Sequence, residues 1–598
     1  MLGQRGAEIA RSEERHRVLG YCKVAAAVFS AAALWLALIH MLSIFWVPVP
    51  VGLLAALSIF HERLLRQLDR TRRAARFLER ALQRLEGKWA GTGEAGAAYL
   101  DPAHPYALDL DLLGKGSLFE LLSTARTHIG EDTLARWLLT PAHPETVIAR
   151  HQAVRELRPR LDLREELAIV AEEARTGLDP VSLAAWGEAS PLITGIGLRL
   201  LACTLSVLGV LGLCAFFAFD ASRLGLLNVS RANSALFRDF FFAALVINGY
   251  FLHFMRRRVG AVAGAVEESA HELGLLSGVL LLLERERFQS PPLAALRASL
   301  DAEGDPPSKR LARLNRWMEL LDSSHHLALR VLEPFFLWTI HLSFAIENWR
   351  KHNGPAVRRW LTATGEIEAL CSLASHAFEH PDDPFPEFTG ETPWIEAEGI
   401  AHPFLAESSA VRNDVQIGGD LRLLVVSGSN MSGKSTLLRT LGINAVLAQA
   451  GAPVRARKLR MSPLAIGASI RITDSLQGGV SRFYAEILRL RQILDQTSGS
   501  RPVLFLIDEF LHGTNSHDRR IGAEALARGL VERGAIGLIT THDLALADIA
   551  DALGPKAANV HFEDRIENGQ IHFDYQLRAG VVRKSNAIEL MRSVGLEI

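Results

Sequence analysis

The chain has 598 residues, 49% of them hydrophobic, with 65 basic side chains set against 66 acidic ones for a net charge of −1. Such a length holds several domains, and near-neutral charge excludes a globally basic nucleic-acid binder. Four cysteines, Cys22, Cys203, Cys214 and Cys371, show no metal-ligand spacing and argue against a disulfide framework or a zinc site.

Residues 1–23 form a basic leader carrying Arg5, Arg11, Arg15, Arg17 and Lys23. Two runs without a charge follow, sixteen residues at 24–39 and twenty at 41–60, separated by His40. A spanning helix needs about twenty apolar residues, so 24–60 is expected to be a transmembrane hairpin. A single crossing is the other option, because Pro48 and Pro50 interrupt the second run. The late position of the first run, with more apolar sequence directly behind it, argues against a cleaved signal peptide. The stretch 61–100 opens as an Arg-rich helix with Arg63, Arg66, Arg70, Arg72 and Arg73. Acidic residues at helical spacing favour a solvated or membrane-adjacent stalk, with contact to DNA or anionic lipid as the other reading.

Residues 101–198 begin a helical core, and 199–256 repeats the apolar pattern, with charge-free runs at 200–219 and 240–255. This is expected to be a second transmembrane hairpin. Arg199 precedes it and Arg256, Arg257 and Arg258 follow, so even numbers of crossings put both termini in the cytoplasm. From 257 to 388 the pattern is helical, with interruptions at Pro291 and Pro292, at Pro306 and Pro307, and at 380–386. The runs 273–283 and 331–346 are short or carry Glu333 and His341, which predicts core helices.

The chemistry lies in 389–598. The segment GSNMSGKST at 428–436 places Gly428, Gly433, Lys434 and Ser435 on the G-x4-G-K-[ST] pattern, with a buried-strand run before it and helical periodicity after it. Glycines there let backbone N–H groups close on phosphates. Lys434 is expected to reach the β- and γ-phosphates and Ser435 to ligate Mg2+. Asp508, ending the apolar strand 503–507, is expected to hold that metal from the other side. Glu509 is the natural general base for an attacking water. His542, at the end of a further buried run at 537–541, reads as a polar switch beside the γ-phosphate. Ser481, near the start of an amphipathic helix at 475–494, could close on the γ-phosphate of a head-to-tail partner.

HPFL (402–405), RNDVQI (412–417), GSNMSGKST, SRFYAE (481–486), DEFLHGTNSHD (508–518) and TTHDL (540–544) together resemble the ATPase domain of MutS proteins. The segments 116–142 and 151–157 resemble the start of the MutS core domain. The resemblance implies an ABC-type ATPase head binding ATP and Mg2+, with Asn430 and Thr436 in its phosphate loop. It also implies a homodimer through the ATPase domains that completes each site, and action on DNA. Tyr575 lies where the family places a residue against one face of the base, although an ordinary strand aromatic reads equally well. Ala410 and Val411 stand where the family has an aromatic residue against the other face. The mismatch-sensing domain with its Phe-x-Glu wedge is not recognisable, and the chain stops at Ile598 where the family continues into a helix-turn-helix. A mismatch reader is therefore not expected.

The expected architecture is multidomain: an α-helical core and lever (101–198 and 257–388) with transmembrane helical hairpins, followed by a C-terminal α/β P-loop ATPase domain. The expected function is a membrane-anchored, dimeric, ATP-driven clamp or switch on DNA at the bacterial inner membrane, with the ATPase in the cytoplasm and membrane lipid contacted through the spans. The alternatives are the ATPase subunit of a membrane transport or envelope complex, and an ATP-gated protein scaffold.

Overall fold

The structure, a computed structural model, describes residues 2–174, 180–223, 231–300, 305–322, 327–390, 392–429, 431–471, 482–509, 516–542, 547–567 and 570–582. Its helices begin with α1 (Leu2–Leu38), α2 (Pro48–Leu85), α3 (Leu118–Leu122), α4 (His128–Leu139), α5 (Pro144–Leu157), α6 (Leu161–Ala174) and α7 (Pro180–Glu188). They continue with α8 (Ile196–Arg223), α9 (Arg231–Arg285), α10 (Pro291–Leu300), α11 (Pro307–Asp322), α12 (Leu327–Phe336) and α13 (Trp338–Glu379). Two compact units result. One comprises Met1–Thr124, Glu131–Ile169 and Ala369–Ile598, the other Ala125–Gly130 and Val170–Glu368.

In the first unit, α1 and α2 form an antiparallel pair. Helix α2 begins at Pro48, so residues 41–47 of the second apolar run lie ahead of it, and Pro48 and Pro50 occupy its first turn, where a missing N–H costs nothing because those donors have no helical acceptor. No break falls at residue 60, since α2 carries the rest of the apolar run and the Arg-rich stretch as one helix to Leu85. By length and composition, four helical stretches among the described residues could cross a membrane: Leu2–Leu38, Pro48–Leu85, Ile196–Arg223 and Ala235–Ala265. Their apolar side chains face outward, with Phe29, Trp35, Leu53 and Phe60 exposed on the first pair and Leu200, Val207, Val246 and Tyr250 on the second.

The far end of α2 is pinned. The Arg84 guanidinium donates through Nε and one terminal nitrogen to both oxygens of Glu379, at 2.7 and 2.5 Å, and the two side chains are 8% and 5% exposed. Such a bidentate pair satisfies itself, but deleting one partner leaves a charge buried alone. Glu379→Ala is therefore expected to cost about 3–5 kcal/mol and to lower the midpoint of thermal unfolding. An unchanged midpoint would show that the pair contributes nothing to stability.

In the second unit α8 packs along α9, and α12 packs against both. The run 273–283 is the tail of α9, continuous with the fourth apolar block. The run 331–346 is not one core helix. It breaks at Leu337, whose φ of 47° is left-handed, and Val331, Leu332 and Phe336 before the break are exposed. A left-handed leucine costs of order 1–3 kcal/mol, and the break frees the last carbonyls of α12. Side chains of the hairpin take up two of them: fully buried Asn248 donates to Pro334 O at 2.7 Å, as it does to Leu205 O of α8 at 3.0 Å, and Ser206 Oγ donates to Phe336 O at 3.0 Å. Gly209 allows the approach, since a Cβ there would lie 2.4 Å from Phe335 O.

Beyond α13 the first unit becomes α/β. A four-stranded sheet has the order β1 (Glu387–Phe388), β5 (Lys458–Met461), β2 (Trp394–Ile400), β3 (Asn413–Gly418). A six-stranded sheet has the order β10 (Gln570–Ala579), β9 (Ala557–Glu567), β4 (Leu423–Ser427), β8 (Ile536–Thr541), β7 (Val503–Ile507), β6 (Ala465–Ser469). Its pairs from β9 to β6 are parallel, and β10 closes one edge antiparallel. Strands β4, β7 and β8 are wholly buried, as expected for a parallel sheet covered on both faces. The covering helices are α14 (Lys434–Ala450), α15 (Arg482–Gln496), α16 (Ser516–Glu532) and α17 (Asp548–Leu553). A helical N-terminal region followed by a C-terminal α/β domain agrees with those two parts of the expected fold class, while the spans are candidates by length and composition.

Candidate nucleotide site

Parallel pairing sets Ser427 beside Thr541 and Ile507 beside Ile539, so β4, β7 and β8 end together. Ligands of open α/β sheets bind outside such carboxyl ends. From β4 the chain turns through the glycine loop into α14. Gly428 has φ 154° and Gly433 φ 104°, both in the region that favours glycine. A Cβ at Gly428 would lie 2.7 Å from Ser432 Oγ, and one at Gly433 would lie 3.2 Å from the Tyr575 ring.

Lys434 is buried, and its Nζ donates to Gly428 O and Ser429 O, both at 2.8 Å. Burial pulls the ammonium below its ordinary pKa, while the Glu509 and Asp508 carboxylates push it back up. The lysine thus rests on its own loop, held near two acids and able to trade carbonyl oxygens for phosphate oxygens.

Across the sheet, one hydroxyl organises both acids. Fully buried Thr540 on β8 donates to Asp508 Oδ1 and accepts the Glu509 backbone N–H at 3.0 Å. Asp508 N donates to Ser469 O at 2.9 Å, anchoring the strand end to β6. Glu509 has φ 47°, and one of its carboxylate oxygens lies 3.5 Å from His542 Nδ1. The TTHDL segment was the available signal for Thr540, but its role arises only from the β7–β8 register.

These residues line a cleft of about 610 Å³. Gly433, Lys434, Ser435, Thr436, Asp508 and Glu509 line it together with His402, Val411, Asn413, Phe562 and Tyr575. Burial, reinforced by Arg439, lowers the His402 pKa to about 4, which keeps its ring neutral. Tyr575 reaches the cleft because of a bulge: the β9–β10 register shifts between Phe573 and Leu577, and Tyr575 takes φ 54°. Asn413 fixes that bulge, donating to Tyr575 O at 3.0 Å and accepting from Leu577 N at 2.7 Å. Sequence reasoning missed the positioning role of Asn413 and the lining by His402 and Phe562. The RNDVQI and HPFL segments were the available signals for the first two, and Phe562 had none. Gly428 belongs to the same loop, whereas Asn430 and Ser481 lie outside the described residues.

One hydroxyl and one carboxylate lining this cleft, Ser435 and Asp508, suit a hard divalent cation that takes its remaining ligands from phosphate and water. Among the described residues no cluster of three or more His, Cys, Asp or Glu side chains could hold a metal without such help.

Residues 424–597 match the family model described as MutS domain V. A protein described as DNA mismatch repair protein MutS from Natronomonas pharaonis is 34% identical over 239 residues, 39% of this chain and 27% of the relative. One described as Endonuclease MutS2 from Thermus thermophilus is 34% identical over 203 residues, 33% of this chain and 25% of the relative. The chain thus spans about a quarter of the length of these curated relatives. The kinship with MutS proteins that the motifs implied holds for this C-terminal region, and MutS domain V is the ATPase domain of that family.

Proposed function

We propose that this chain, which carries a MutS-type ATPase domain, is an Mg2+-dependent ATPase. It is tethered to the bacterial inner membrane by its two apolar hairpins, 24–60 and 199–256, and works as a dimeric ATP-driven clamp or switch on DNA. The observation that carries the ATPase reading is the single cleft in which Lys434, Ser435, Asp508 and Glu509 meet. Support for DNA comes from the relatives described as mismatch repair proteins. Support for the tether comes from apolar side chains facing outward along helices long enough to span a bilayer.

In this reading Lys434 leaves the Gly428 and Ser429 carbonyls for the terminal phosphates, and the loop N–H groups close around them. Ser435 and Asp508 hold Mg2+, which neutralises the charge that phosphoryl transfer develops. Glu509 orients and deprotonates the attacking water, and His542, within reach of its carboxylate, senses the γ-phosphate. Tyr575, held by Asn413, lies against one face of the base. Ser481 of a partner copy completes the site on dimerisation.

Steady-state ATP hydrolysis by the full-length protein in lipid discs tests the whole reading, with homoduplex, mismatched, branched and single-stranded DNA added in turn. Stimulation by one DNA form at physiological salt is the expected result. Hydrolysis indifferent to every form would remove DNA from the proposal and turn it toward a protein or membrane partner.

A further inference from the structure

A second cavity, of about 710 Å³, opens between α1 and α2 where their charge-free runs end. Arg11, Glu14, Arg15, Val18 and Leu19 line it from α1. Phe60, Arg63, Leu64 and Gln67 line it from α2. Each set follows i, i+3, i+4, i+7 spacing, so each is one continuous stripe of its helix. The His16 Nδ1 contact with His61 Nε2 at 2.7 Å sets the register and puts Arg15 within a turn of the height of Arg63. Polarity is graded along the cleft. Val18, Leu19 and Phe60 lie toward the apolar runs, Arg11, Glu14 and Gln67 lie away from them, and Arg15 and Arg63 stand between.

The other basic residues of this pair of helices are largely engaged. Arg5 is paired with Glu165, Arg66 with Glu62, Arg70 with Glu166 and Arg72 with Glu13. Around the cavity the pattern reverses. Arg15 and Arg63 form no ion pair among the described residues, and Arg11 donates to the Ala7 carbonyl oxygen at 3.3 Å. Three arginines against Glu14 leave a charge of plus two facing the cleft. A ligand that fits is therefore anionic at one end and apolar at the other, with the apolar end directed along the membrane-length runs.

We propose that this cleft binds an anionic phospholipid, its phosphodiester on Arg11, Arg15 and Arg63 and its acyl chains along Val18, Leu19 and Phe60. The proposal rests on the membrane tether inferred above. Guanidinium groups match phosphate oxygens in forked geometry, and basic pockets at the membrane surface gain roughly a fivefold preference for each arginine engaged. A free phosphate would use the charges and leave the apolar half of the cleft unfilled.

The test places full-length protein in phosphatidylcholine discs containing a trace of spin-labelled phosphatidylglycerol or spin-labelled phosphatidylcholine and reads the immobilised fraction. The expected result is a preference for phosphatidylglycerol of at least about fivefold, the gain from a single engaged arginine. It should be lost in Arg11→Ser/Arg15→Ser/Arg63→Ser and kept in Arg66→Ser/Arg72→Ser, where arginines already paired are changed. Equal immobilisation of both lipids by the unaltered protein, or a preference that survives the triple substitution, overturns the site. Displacement of the labelled lipid by inorganic phosphate also overturns it, since the apolar half would then contribute nothing. Alkaline extraction of vesicles separates the two failures. Protein released to the supernatant overturns the tether and the site with it, whereas protein that stays but shows no lipid preference overturns the site alone.

Discussion

Lys434→Ala is expected to abolish nucleotide-dependent activity, with hydrolysis falling about a hundred- to a thousandfold or more, the range for deleting a positioned charge-stabilising donor. Lys434 is buried, its Nζ bridges two loop carbonyls at 2.8 Å, and Glu509 and Asp508 oppose the lowering of its pKa by burial. Alanine removes the one cation that α14 brings to the cleft and leaves the Gly428 and Ser429 carbonyls without that donor. Two measurements check the outcome: binding of a fluorescent ATP analogue and phosphate release, each with far-ultraviolet circular dichroism to confirm folding. A folded variant that hydrolyses ATP at the rate of the unaltered protein would remove Lys434 from the phosphate site.

Glu509→Gln is expected to act differently, with hydrolysis falling about a hundred- to ten-thousandfold while ATP binding persists. Glutamine keeps the shape and the backbone bond from Glu509 N to Thr540 Oγ1 at 3.0 Å, so the cleft stays assembled while the base is lost. If ATP joins two ATPase domains, this variant should accumulate as an ATP-bound dimer, visible as earlier elution in size-exclusion chromatography with light scattering. Retained hydrolysis would transfer the base role elsewhere, with His542, 3.5 Å from the Glu509 carboxylate, the first group to replace.

The phosphate end of the site was legible because its spacing is dictated by the chain itself: glycines for the turn, then lysine and hydroxyl on the first turn of α14, then acids directly after a buried strand. What stayed hidden depends on pairing between distant segments. Thr540 serves both acids only because β8 lies beside β7. Tyr575 turns into the cleft only because Asn413, far away in sequence, grips a bulge in β10. The prolines at 48 and 50 left a hairpin and a single crossing both open for a related reason: a proline stops a helix from within but starts one comfortably, and only the position of the turn tells which. The break at Leu337 left no glycine to mark it, since the hairpin's own side chains compensate the freed carbonyls.

That compensation bears on biogenesis. Asn248 and Ser206 emerge from the ribosome about eighty or more residues before Pro334 and Phe336, the carbonyl partners they meet in the finished fold. If a bilayer surrounds α8 and α9, the hairpin enters it with part of its hydrogen-bonding capacity unmet, a costly state where no water is available. Its insertion is therefore provisional until α12 has been synthesised and docked. A ribosome stalled within that interval would hold a hairpin that has crossed but not yet closed, a form for quality control to recognise.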